Sequence, residues 1–104
     1  MSEKVVSRNG IPIRLTEERW AHIVEEHGEM EGLRADVLRT ITEADRVFAG
    51  SFGELLAVRT VETGRALVVV YKETTANDGF IITAFRTSRF AALERRKQLW
   101  PLQK

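Results

Sequence analysis

The hydrophobic positions change period as the chain is read. After the turn dipeptide Asn9-Gly10, Ile11, Ile13 and Leu15 alternate with other residues, which predicts a short strand. Pro12 cannot donate to a central ladder, so this strand is expected at a sheet edge. From Thr16 the period lengthens. Trp20, Ile23, Val24 and His27 fall on one face of a helix, with Thr16 as N-cap, Glu17 and Glu18 in the first turn, and Gly28 as the stop. Leu33, Val37, Leu38 and Ile41 predict a second, shorter amphipathic helix.

From Arg46 the pattern turns to strands, at about 46–49, 54–61, 66–72 and 80–87. Gly50–Gly53, Thr63-Gly64 and a loop over Glu73–Gly79 separate them, spacings that suit antiparallel hairpins. A last helix is expected over 90–99, with Phe90 and Leu93 inward, Ser88 as its N-cap and Pro101 beyond its end. The fold class is therefore α+β. N-terminal helices should pack on one face of a roughly four-stranded antiparallel sheet, followed by a short C-terminal helix.

Register then decides where the charges land. With Thr63 and Gly64 as a two-residue loop, Glu62 faces Arg65 and Arg59 faces Val68. With Lys72 opposite Phe80, Ala66 faces Arg86. One face then carries Arg59, Lys72 and Arg86 among small residues such as Ala57 and Ala84. The other, with Leu67, Val69, Tyr71, Thr83, Phe85 and Thr87, carries no charge and is the expected helix-packing face. Arg59 and Arg86 would stand roughly 10 Å apart across two strand spacings. A slip of one residue would send a set of side chains to the opposite face.

Composition narrows the chemistry. A chain of 104 residues, 43% hydrophobic and 30% charged, is expected to form a single globular domain over 1–104. Having no cysteine, it has neither disulfides nor thiolate metal ligands, and a cytoplasmic home is favoured. No apolar run approaches a membrane span or a secretory signal. The net charge is +1, but residues 1–53 hold 7 basic and 10 acidic groups (−3), whereas residues 54–104 hold 9 and 5 (+4). Such asymmetry is compatible with one face meeting a polyanion.

The strand beginning in DGFIITAF ends in Arg86, Thr87, Ser88 and Arg89. Guanidinium groups donate paired, charge-assisted hydrogen bonds to phosphate, and Thr83, Thr87 and Ser88 could add hydroxyl donors. Equally, threonine is a favoured strand residue and a lysine or arginine at a strand end keeps it soluble. His27 is either a core-edge histidine or a general acid–base, the side chain suited to proton transfer near neutral pH. His22 points away from the apolar stripe. The two histidines stand five positions apart, which is not the i, i+4 spacing of a helical zinc pair, so no metal is expected.

The segments IRLTEERWAHIVEEHGEM, ELLAVR, LVVVYK and DGFIITAFRTSR resemble small bacterial and phage proteins grouped with the barnase–EndoU–colicin–RelE-like (BECR-fold) nucleases. The resemblance spans about residues 11–100. Members carry a tryptophan and two histidines on the first helix, matched here by Trp20, His22 and His27. The proline-glutamate pair that follows is replaced by Gly28-Glu29. Thr83, Thr87 and Arg89 match the closing strand. The resemblance implies a four-stranded antiparallel sheet and metal-independent RNA cleavage without a cofactor, often as a toxin with an antitoxin partner. The catalytic groups would lie on the sheet face away from the helices. On that reading His27, Arg59 and Arg86 are catalytic, Lys72, Thr83, Thr87 and Arg89 bind substrate, and Tyr71 or Lys72 substitutes as base if His27 is too distant. The alternative is a non-catalytic module of the same fold, binding nucleic acid or protein, or pairing as a homodimer through its sheet face.

Overall fold

The computed structural model describes residues 2–102. Strand β1 (Ser2–Val6) turns at Asn9-Gly10 into β2 (Pro12–Thr16), which runs directly into helix α1 (Glu17–Glu26). A 3₁₀ turn (Gly28–Met30) leads to α2 (Arg34–Thr42), followed by β3 (Arg46–Ala49), β4 (Leu55–Glu62), β5 (Arg65–Thr75) and β6 (Asp78–Thr87). Helix α3 (Phe90–Glu94) and β7 (Gln98–Trp100) complete the order.

The four-stranded antiparallel sheet expected from the sequence is overturned. Among the described residues there are seven strands in the order β1-β2-β6-β5-β4-β3-β7, and the sheet is mixed, because β2 runs parallel to β6. Three local causes account for the difference. Pro12 stands first in β2, where its missing N–H is tolerated, so β2 is an inner strand and β1 takes the edge. The polar stretch SEKVV gives β1 no apolar alternation to read, and it forms by pairing along β2. The expected helix over 90–99 stops at Glu94, because Trp100 packs on the core and β7 covers the edge of β3. Tertiary burial here overrides the helix propensity of the ERRKQL stretch.

The start of α1 follows simple capping chemistry. Thr16 Oγ1 accepts the Arg19 N–H at 3.1 Å, as the sequence predicts. Ile23 on α1 and Val37, Leu38 and Ile41 on α2 are buried against one face of the sheet. Gly79 is required where β2 meets β6, since a Cβ there would lie 2.5 Å from both Ile13 Cδ1 and the Lys72 carbonyl oxygen. Arg34 stands 2.6 Å from Glu3 on β1 and 3.0 Å from Glu17 on α1, tying three elements together.

Two β-bulges set the side-chain faces. Glu62 pairs with Arg65 as expected, but a register shift follows between Thr60 and Glu62, so Arg59 pairs with Leu67 rather than Val68. Lys72 pairs with Phe80 as expected, but another shift lies between Val70 and Tyr71, so Arg86 also pairs with Leu67 rather than Ala66. Each bulge inserts an unpaired residue, and a one-residue offset exchanges faces. The helix-covered face therefore joins Ala57 and Arg59 to Leu67, Val69 and Tyr71, and then to Ala84 and Arg86. The opposite face joins Leu56 and Val58 to Ala66, Val68, Val70 and Lys72, and then to Thr83, Phe85 and Thr87. On that face α3 covers a second, smaller cluster of Phe48, Leu56, Val58, Ala66, Val68 and Leu93.

Candidate functional site

Arg59 and Arg86 remain on one face, in the same row, but that face lies beneath the helices instead of away from them. Arg59 is spent on structure. Its Nε donates to Thr40 Oγ1 at 3.1 Å, and its Nη2 reaches the Asp36 carbonyl oxygen and Asp36 Oδ1, each at 3.2 Å. Its side chain is only 13% exposed. This corrects the expectation of two arginines converging on one phosphate. Asp36 and Thr40 stand one turn apart on α2, so both reach the same guanidinium. That spacing was readable in the sequence, but only knowing which helix covers Arg59 gives it meaning.

Arg86 is different. It lines a cavity of about 220 Å³ together with Leu33, Asp36, Val61 and Leu67. Its Nε is buried without a hydrogen-bond partner among the described residues. Among the described residues no carboxylate comes within ion-pair distance of it. A buried donor without a partner is costly, so a guanidinium in this condition favours an anion brought from outside.

His27 caps the C-terminus of α1, its backbone N–H bonded to the Ile23 carbonyl oxygen at 2.7 Å. Among the described residues β2 pairs with β6 only at Gly79 and Phe80, so the second half of β6 has no described strand on that side. His27 comes to this open edge, with its ring centroid 6.1 Å from that of Phe85, the neighbour of Arg86 in the chain. Its Nδ1 lies 3.9 Å from Glu29 Oε2, an orienting carboxylate at long range.

The other predicted residues are divided between the faces. Lys72 is exposed and Thr83 half-buried, both on the face opposite Arg59 and Arg86. Thr87 lies on the same side as Lys72 and Thr83 and accepts the Arg89 N–H at 3.0 Å. Arg89, not Ser88, stands at the N-cap of α3, and its side chain makes no capping bond. Tyr71 is no stand-in base. It is fully buried in the helix-side core, and its hydroxyl has no partner among the described residues. Burial, with a smaller push from Glu73, raises its pKa far above the usual phenolic range. His22 lies on the exposed side of α1, 2.9 Å from Glu26.

Two features escaped the sequence reading. Phe52, in the β3–β4 turn, is 86% exposed. Arg96 shares with it a shallow cavity of about 270 Å³ on the open face, floored by Leu56, Val70 and Phe85. The signal for Phe52 was an aromatic residue inside the turn Gly50–Gly53, where no core can receive it. No helix of the described residues is long and apolar enough to cross a membrane. Comparison with the profiles of known protein families, with curated proteins and with solved structures finds no match to this chain.

Proposed function

We propose that this protein is a metal-independent endoribonuclease of the BECR-like kind, acting in the cytoplasm, with His27, at the open edge of β6, and Arg86, from the covered face of the same strand, as its catalytic pair. One observation carries the reading. Of the two arginines in the row, only Arg86 lacks a partner among the described residues, and His27 reaches Phe85, its chain neighbour on the opposite face. In the proposed reaction His27 takes the proton of a ribose 2′-hydroxyl. The 2′ oxygen forms a bond to the adjacent phosphorus as the bond to the 5′ oxygen breaks. The products are a 2′,3′-cyclic phosphate and a 5′-hydroxyl end, the 5′ oxygen receiving the proton that His27 removed from the 2′-hydroxyl. Arg86 offsets the charge that develops on the non-bridging oxygens. DNA lacks the attacking hydroxyl, so RNA is the required substrate.

Purified protein should cleave total RNA with EDTA present. Arg86→Ala should lose at least tenfold, about 1.4 kcal/mol of barrier, and His27→Ala a comparable amount. Full activity in Arg86→Ala removes the proposal.

A second reading keeps RNA as ligand and drops the chemistry. It is favoured by the separation of Lys72 and Thr83 from Arg86 on opposite faces, and by the commitment of Arg59 to α2. Binding without turnover, weakening steeply with added salt, would select it.

A further inference from the structure

The open face carries a feature that the catalytic pair does not use. The turn between β3 and β4 is braced from within. Glu54 Oε1 accepts the Phe52 N–H at 2.8 Å, and the Gly50 N–H bonds to the Glu54 carbonyl oxygen at 2.8 Å. Gly53 adopts a φ of +89°, which suits a residue without a side chain. Arg96 holds the same turn from the other side, with Nη1 3.3 Å from Ser51 Oγ and 3.4 Å from the Ala49 carbonyl oxygen. The outcome is an aromatic ring on a fixed loop, displayed to solvent instead of packed.

Its surroundings are electropositive. Of the nearby carboxylates, Glu54 is bonded within the turn and Glu94 pairs with Arg46 at 3.1 Å. Arg95, Arg96 and Lys97 are exposed, as is Lys72 on the same sheet face. The floor, Leu56 on β4, Val70 on β5 and Phe85 on β6, crosses three strands, roughly 10 Å at about 4.8 Å each. It ends at the ring that His27 approaches.

We infer that this face is a binding track for single-stranded RNA, with one base stacked on Phe52 and the flanking phosphates held by Arg96 and its basic neighbours. The inference rests on RNA being the ligand and names the form of RNA and the residue that grips it. A flat π-face beside cations takes any base, which is how sequence-tolerant single-strand binding works. A helical peptide would need a continuous row of anchors at i, i+4 and i+7. One ring at a turn tip matches a single planar base better.

The test uses the intact protein and a fluorescent 2′-O-methyl oligouridylate, which binds but cannot be cleaved by the proposed route. Its affinity, read by anisotropy at low salt, should fall about tenfold in Phe52→Ala and survive in Phe52→Trp. Indole emission added by the Phe52→Trp change should be quenched on binding. Equal affinity in Phe52→Ala overturns the inference. So does tighter binding of a leucine-containing polyglutamate peptide than of the oligonucleotide. Arg86→Ala separates this result from the cleavage reading: cleavage should be lost while the affinity that remains still falls with Phe52→Ala. Phe52-dependent binding without any cleavage leaves the track standing and removes the nuclease. Arg86-dependent cleavage with Phe52-independent binding does the reverse.

Discussion

The two faces of the sheet treat charge in opposite ways. Beneath the helices, Arg59 is enclosed and bonded three times by α2. On the open face, Arg14 pairs with Asp78 at 3.0 Å while both side chains stay more than a third exposed. Arg86 fits neither pattern, since it shares the covered face with Arg59 but has no partner for its Nε. The lesson is that a cationic row is not in itself a ligand site. What marks a residue for a ligand is the absence of an internal partner where one could have been supplied.

Arg59→Ala is the substitution that breaks this contrast most strongly. It removes three hydrogen bonds and leaves Asp36, half in solvent, without its ion pair. A fully buried pair would cost more, but the exposure of Asp36 limits the loss to about 2 kcal/mol, seen as a Tm lower by roughly 10 °C. Arg86→Ala removes no bonded partner and should stay within about 0.5 kcal/mol of the parent in urea unfolding. Equal destabilisation by the two changes would mean that Arg86 is structural as well.

Tyr71→Phe sharpens the comparison from inside the covered face. The hydroxyl is buried with no partner, so it carries a desolvation cost and returns nothing. Its removal should raise stability by about 1 kcal/mol and leave RNA cleavage unchanged. A loss of cleavage would restore Tyr71 as a catalytic candidate.

Much of the frame was legible because periodicity reports local burial. β3 was read at its observed bounds, the N-cap Thr16 was recognised, and the strand cores of β4, β5 and β6 were located. The site was less legible, for a specific reason. Pairings next to the turns, Glu62 with Arg65 and Lys72 with Phe80, follow from loop chemistry. The bulges beyond them do not, because Val61 and Ile82 resemble ordinary strand residues. The two shifts move β5 relative to both neighbours. Arg59 and Arg86 therefore stay together while Lys72 leaves them. Which face the helices then cover depends on volume: Ala57 and Ala84 leave room for Ile23, Val37 and Ile41.

The smallest expected effect concerns the exposed pair. Arg14, through its hydrogen bond and its charge, holds the Asp78 carboxyl below the ordinary aspartate range. A carboxyl with a depressed folded-state pKa adds stability above its unfolded value, near pH 4. That contribution fades as pH falls through the lower, folded value, where both states are protonated. The thermal midpoint of the parent should therefore exceed that of Asp78→Asn slightly at pH 7, with the gap closing as the pH is taken from 5 towards 2. Added salt should narrow the gap at pH 7, because solvent-exposed charges are screened. Arg59→Ala should respond little to salt, since its lost bonds lie in a sheltered site. If the Asp78 gap instead persists at low pH and high salt, the carboxylate is acting through packing, and the open face holds its charges as firmly as the covered one.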